Sequence, residues 1–322
     1  MMKPWKPLAA ILSLCVSAAA LAQNLTLSLG TQLPETHVVY KGFLEIKRKL
    51  EESSKGTMTL KLFPGSQLGD FKAMVGQVQA GDLDITNTGY PDMSYIIPEL
   101  KLIGAPYVIS SYDHLKAVLK GPYGQRMEAK FREKGVHLMD VWYEGTRHTT
   151  ANKPINSIAD LKGLKMRTPN VPFLIAYAQA VGATPAPVAF AELYLALQTK
   201  QVDAQENPLP TIEAAKVYEV QKYIALTGHF IASSAILVGD KALKKLNPTQ
   251  KQWLEEAIVA GGKVSTAGVM KSESELVAFF KSKGLTVTTV DTGPFRAAMR
   301  PYHDQLEAEL GAGEIQRMIA TK

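Results

Sequence analysis

Cysteine is nearly absent: Cys15 is the only one in 322 residues. That excludes an internal disulfide and a thiolate metal cluster. Familiar catalytic signatures are missing too, with no G-x-S-x-G elbow, no H-E-x-x-H and no glycine-rich phosphate loop. The histidines (37, 114, 137, 148, 229 and 303) are scattered, with no pair at ligand spacing, so no metal is expected. A Ser/His/Asp triad assembles in space and is not excluded this way. No Lys/Arg run carries interleaved aromatics, which argues against nucleic acid as a partner. What is present reads as a globular chain, 46% hydrophobic and 20% charged, about two domains long at ~150 residues each. The formal net charge is +6, which leaves a nucleic acid, an anionic membrane or a small anion to be separated.

One apolar run stands apart. Lys3 and Lys6 precede residues 8–22, which end in Ala20-Leu21-Ala22 before Gln23. A positive start, a short apolar stretch and an A-x-A site describe a secretory signal peptide over 1–22. A membrane anchor needs ~20 apolar residues, and this run is shorter. Leu14 stands where a lipidated Cys15 would need a small residue. Without this segment the chain holds no cysteine and carries 34 basic against 30 acidic residues, a net +4. The mature chain is expected outside the cytoplasm.

Residues 25–31 alternate apolar and polar, as a half-buried strand does. Pro34-Glu35-Thr36 opens a helix with Val39, Phe43, Ile46 and Leu50 on one face. A strand at 57–63, a helix capped by Asp70 and a strand at 83–86 follow. That is the rhythm of an α/β sheet. The rhythm returns at 163–205, with strands at 163–167, 184–188 and 202–205. Between the blocks lie a helical stretch at 113–134, broken at Gly121-Pro122, a strand at 136–142 and a first crossing at 147–151. Strands at 223–227 and 235–238 flank a second crossing. Asn247-Pro248-Thr249-Gln250 then makes a capping box for a helical pattern reaching about Lys283. Gly261-Gly262 leaves two readings: one long helix lying across both blocks, or two helices kinked at the glycines.

In open α/β sheets, ligands bind beyond the carboxyl ends of the strands. Arg167, at the end of 163–167, and Asn207, after 202–205, occupy such ends. Arg147 sits beside the first crossing. Two guanidiniums and an amide suit a carboxylate, because an arginine fork matches it bidentately. The ordinary reading of each arginine is a solvated surface charge.

At these residues a family resemblance emerges. The segments D-L-K-G-L-K-M-R-T-P (160–169), V-G-A-T-P-A-P-V (181–188), A-E-L-Y-L-A-L-Q-T (191–199) and V-D-A-Q-E-N-P (202–208) resemble the DctP-type solute-binding proteins of tripartite ATP-independent periplasmic (TRAP) transporters. So do G-T-R-H-T-T-A-N-K-P-I (145–155) and F-P-G-S-Q-L-G-D (63–70). The resemblance implies a two-domain α/β periplasmic solute-binding fold, with an interdomain cleft, crossing strands and a long helix spanning both domains. It implies domain I over 23–146 plus 234–272, and domain II over 147–233 plus 273–322. It implies no catalysis and no cofactor, but a monomer that captures a small organic acid and delivers it to a TRAP permease. Arg167 then forms the principal salt bridge to the ligand carboxylate, joined by Arg147 and Asn207. Two departures stand out: Ala204 where the family usually has glycine, and Gly104-Ala105-Pro106-Tyr107 in place of its usual Leu-Pro-Phe.

Selectivity is expected mainly from the first domain. The candidates are His37, Gln67, Asn87 and Tyr90, with Phe190 from the second domain and Trp142, a residue that on a strand is more often core. Each also has an ordinary reading as packing, a cap or solvated surface. A ligand sensor presenting its closed form to a signalling receptor would use the same fold and site. A periplasmic hydrolase would need a motif that the sequence does not display.

Overall fold

The alternating segments at the start of the chain become two parallel neighbours. In this computed structural model, which describes residues 24–322, β1 (Leu25–Gly30) pairs with β2 (Met58–Phe63) along its whole length. The expected signal peptide lies outside the described residues. Helix α1 (Tyr40–Ser53) buries Phe43, Ile46 and Leu50, but begins six residues after Pro34. The intervening loop satisfies its own donors: His37 N bonds Pro34 O, Leu33 N bonds Thr31 Oγ1, and Val39 N bonds His37 Nδ1. Local side-chain acceptors of this kind compete with helix.

Helix α2 (Phe71–Ala80) starts where Asp70 predicts, the carboxylate accepting from Ala73 N at 2.9 Å. It leads into β3 (Ile85–Gly89), parallel to β1. After α3 (Leu100–Gly104), α4 (Tyr112–Lys120) and α5 (Pro122–Glu133) divide at Gly121. Further on come β5 (Lys165–Thr168), α6 (Pro172–Ala180), β6 (Thr184–Pro187), α7 (Leu193–Gln198), β7 (Ala204–Pro208) and α8 (Leu209–Ala214).

The two crossings are longer than their sequence patterns suggest. The strand at 136–142 and the crossing at 147–151 are one strand, β4 (Val136–Ala151). The segments 223–227 and 235–238 likewise join in β8 (Tyr223–Gly239). Irregular register at Leu138/Asp140, Tyr143/Gly145 and Arg147/Thr149 breaks the alternation that marks a strand. The result is one nine-stranded sheet, β2-β1-β3-β8-β4-β7-β5-β6, with β9 (Thr286–Thr289) on the free side of β8. The end of β8 and the start of β4 extend the first block; their other ends extend the second.

After α9 (Asp240–Lys244), α10 (Pro248–Ser282) runs unbroken for 35 residues from a complete Asn247/Gln250 capping box. At 1.5 Å per residue it spans about 52 Å. Its glycine pair serves packing, not a kink. A Cβ on Gly261 would lie 2.6 Å from Gly42 O of α1, and one on Gly262 would lie 2.5 Å from Trp142 Nε1. Trp142 is thus core, its ring tilted against Phe43 with centroids 5.5 Å apart. Helix α10 contributes Leu254, Ile258 and Val269 to the core of the first half, then Leu276 and Phe280 to that of the second. The C-terminal segment departs from the expected boundary. In α11 (Gly293–Leu310), Phe295 and Met299 pack with the second half, but Leu306, with Ile315 and Met318 of α12 (Glu314–Ala320), returns to the first.

Candidate functional site

Strands β3, β5 and β7 end, and β4 and β8 pass mid-strand, around a cavity of about 330 Å³ between the halves of the sheet. Arg147, Arg167, Asn207, Asn87 and Phe190 all line it. The cavity thus brings together the strand-end pair Arg167 and Asn207, Arg147 from the crossing, and two of the selectivity candidates.

The two arginines differ in kind. Arg147 on β4 is already paired: Nη2 donates to Glu206 Oε1 at 2.8 Å and to Asn207 Oδ1 at 3.1 Å, and Nε donates to the other carboxylate oxygen. Glu206 is fully buried and also accepts from His229 Nε2 at 3.1 Å. Burial pushes the Glu206 carboxyl up, but the Arg147 guanidinium and the His229 hydrogen bond outweigh it and hold it at about 2. Burial opposes the charge on Arg147 as well, and Glu206 overrides it, raising the pKa. The His229 ring stacks on Tyr177 at 3.9 Å and its Nδ1 meets Thr227 Oγ1, which fixes its orientation.

Arg167 is only 1% exposed. Its Nε donates to Val188 O at 2.9 Å, and among the described residues no carboxylate lies within ion-pairing distance. Burial pulls the guanidinium down to about 10; Glu206 works against that shift and Arg147 adds to it. It remains a cation at neutral pH. A buried cation without a counter-ion is costly, and the cavity is where an anion would reach it.

Three selectivity candidates fall elsewhere. Tyr90 is wholly buried against Phe131, because the chain turns after Gly89 and sends the next side chain into the core. Gln67 is exposed on the tight turn before Asp70, and it is Asp70, Phe71 and Lys72 that reach the cavity. His37 is buried behind the wall, with Nε2 3.1 Å from Thr211 Oγ1, and Thr211 lines the cavity. Since His37 Nδ1 accepts from Val39 N, Nε2 carries the proton; burial drives the ring down to about 3 and keeps it neutral.

Sequence reasoning missed several lining residues, among them Gln32, Asp92, Glu144, Asn170 and Phe230. Glu144 was accessible in principle, standing three residues before Arg147 on the same strand. Asp92 was not, for it sits in a short 3₁₀ turn (Tyr90–Tyr95) that carries no periodic signal. Apolar closure comes from Phe71 of α2 packed with Phe173, Leu174 and Phe230, a cluster that joins the two halves beside the cavity.

Comparisons with known proteins give the family. The family model for bacterial extracellular solute-binding protein, family 7 (DctP) matches residues 29–310. The chain is 41% identical to the sialic acid-binding periplasmic protein SiaP of Vibrio cholerae over 97% of both chains. It is 33% identical to the 2,3-diketo-L-gulonate-binding periplasmic protein YiaO of Escherichia coli, over 83% of this chain and 81% of that one. A TRAP periplasmic solute-binding protein from Polaromonas sp. JS666, bound to D-erythronate, superposes with a TM-score of 0.88 at 29% identity, covering 92% of this chain and 99% of that one. With its two-domain α/β architecture, the chain belongs to the DctP family of TRAP solute-binding proteins, which are binding components of transporters and not enzymes.

Proposed function

We propose that this protein captures a small organic acid in the periplasm, with Arg167 holding the carboxylate, and delivers it to the permease subunits of a TRAP transporter. The observation that carries this reading is Arg167: buried, lining the cavity and, among the described residues, without a counter-ion. Arg147 is held by Glu206 and keeps Nη1 for the ligand, while Asn207 braces Arg147. Asn87 and Phe190 line the opposite walls and shape the fit. Relatives named for sialic acid and 2,3-diketo-L-gulonate, and one bound to D-erythronate, support an acid as the ligand class.

The lobes we assign are 23–146 with 234–272, and 147–233 with 273–303; residues 304–322 pack back on the first lobe. A carboxylate held between them favours the closed form, and that differential affinity drives closure. The protein acts as a monomer, exported by a signal peptide over 1–22.

Thermal shift against a panel of organic acids tests this directly. An acid at 100 times its Kd stabilises by ~3 kcal/mol, a rise of several degrees. Arg167→Ala removes that rise, since the ligand carboxylate is then desolvated without a partner. No stabilisation by any acid, or full stabilisation of the variant, contradicts the reading.

A further inference from the structure

The cavity has a second pole that the carboxylate does not use. Asp92, from the turn after β3, and Glu144, from β4, line it together with Arg147 and Arg167. Among the described residues neither carboxylate has a basic side chain within ion-pairing distance. The place of Asp92 depends on its neighbour: a Cβ on Gly89 would sit 2.6 Å from the Asp92 carboxyl carbon. Asn87, on the same wall, has a buried Oδ1 with no hydrogen-bond donor. Two further charged residues line the cavity, Asp70 and Lys72, and their charges offset each other. Asp70 caps α2, and Lys72 lies over the rings of Phe71 and Tyr95 and pulls weakly on Asp92.

We infer, resting on the carboxylate-capture reading above, that the acid taken here is a zwitterion, its carboxylate on Arg167 and an ammonium group against Asp92 and Glu144. Charge balance is the argument. Arg147 and Glu206 cancel, which leaves Arg167 against two carboxylates and one surplus negative charge. A plain monocarboxylate would make the surplus two where Asp92 and Glu144 are partly shielded from water, whereas a zwitterion leaves it at one and gives both acids a counter-ion. Burial already pushes Asp92 up to about 6 and Glu144 to about 7, even with Arg147 pulling both down. An ammonium group reverses that shift, so binding releases protons near pH 7; a plain anion must instead take protons up.

Calorimetry at pH 7, in two buffers of different ionisation enthalpy, separates these cases. The probes are matched pairs: D-glucosaminate and D-gluconate, serine and glycerate, neuraminate and N-acetylneuraminate. The expected result is that an amino member binds at least about 10-fold more tightly than its partner, a factor at the low end for a desolvated charge pair. Proton release accompanies it. The doubly substituted Asp92→Asn, Glu144→Gln protein loses that preference while retaining its unfolding transition. Equal or tighter binding by the hydroxy or acetylated members, with proton uptake, overturns the zwitterion and leaves the role of Arg167 standing. Binding by none of the six also overturns it, and the wider acid panel then decides the carboxylate reading separately.

Discussion

Arg167 was legible as a strand-end cation and Arg147 as one beside a crossing, yet only the folded chain shows that Arg147 is ion-paired while, among the described residues, Arg167 is not. The difference lies in Glu206, whose partners Arg147 and His229 come from 59 and 23 residues away. No local pattern reports such a meeting. His37 and Tyr90 were misread for a related reason: a loop or strand end fixes where a residue sits, while its side-chain direction depends on what packs behind it. Glu206 is best described as a positioning residue for Arg147. Glu206→Gln leaves a buried guanidinium unpaired and destabilises the protein by about 3–5 kcal/mol, measurable by urea unfolding. Its acid titration has a definite sign. Glu206 titrates near 4.5 when unfolded and about 2 when folded, so its stabilisation is full above pH 4.5 and is lost as the pH falls toward 2. Asp92 runs the other way, from 3.8 up to about 6, and costs stability as the pH rises through that window. Asp92→Asn therefore raises the melting temperature of the ligand-free protein at pH 8, and the gain vanishes at pH 3.5.

Among the elements, the α10 capping box was readable because its residues are contiguous: Asn247, Pro248 and Gln250 do what their positions predict. The glycine pair within the same helix was not. Glycine codes equally for a kink and for close approach, and the choice rests on Gly42 and Trp142, far away in sequence. Gly262→Ala drives a Cβ into the Trp142 ring and costs about 1–3 kcal/mol. Gly76→Ala, in the exposed middle of α2 with nothing within 4 Å of the new methyl, stabilises by about 0.5–1 kcal/mol. Equal effects at the two sites in urea unfolding would contradict the packing account. The bulges that hid the continuity of β4 also hold it to α10. Glu273 accepts from Thr146 N at 2.6 Å and from the Tyr143 hydroxyl at 2.7 Å, where the strand crosses between the halves.

For the whole molecule, the two-block α/β rhythm predicted the architecture because each block is built from consecutive elements. Joining the blocks into one sheet depends on β4 and β8, two strands of 16 and 17 residues, whose pairing is long-range and irregular. The early surplus of positive charge proved a poor guide. What matters is local: Arg167, Asp92 and Glu144 line one cavity of about 330 Å³, and among the described residues none of them is in an ion pair. Binding between lobes joined by the crossing strands, α10 and the C-terminal segment should shift the population toward a closed form. Small-angle scattering is expected to show a smaller radius of gyration with the bound acid. The most direct measurement is a crystal structure with the acid that stabilises the protein best. The account predicts its carboxylate in bidentate contact with the terminal nitrogens of Arg167, between the lobes. An acid bound with its carboxylate turned away from Arg167, or bound outside this cavity, would contradict it.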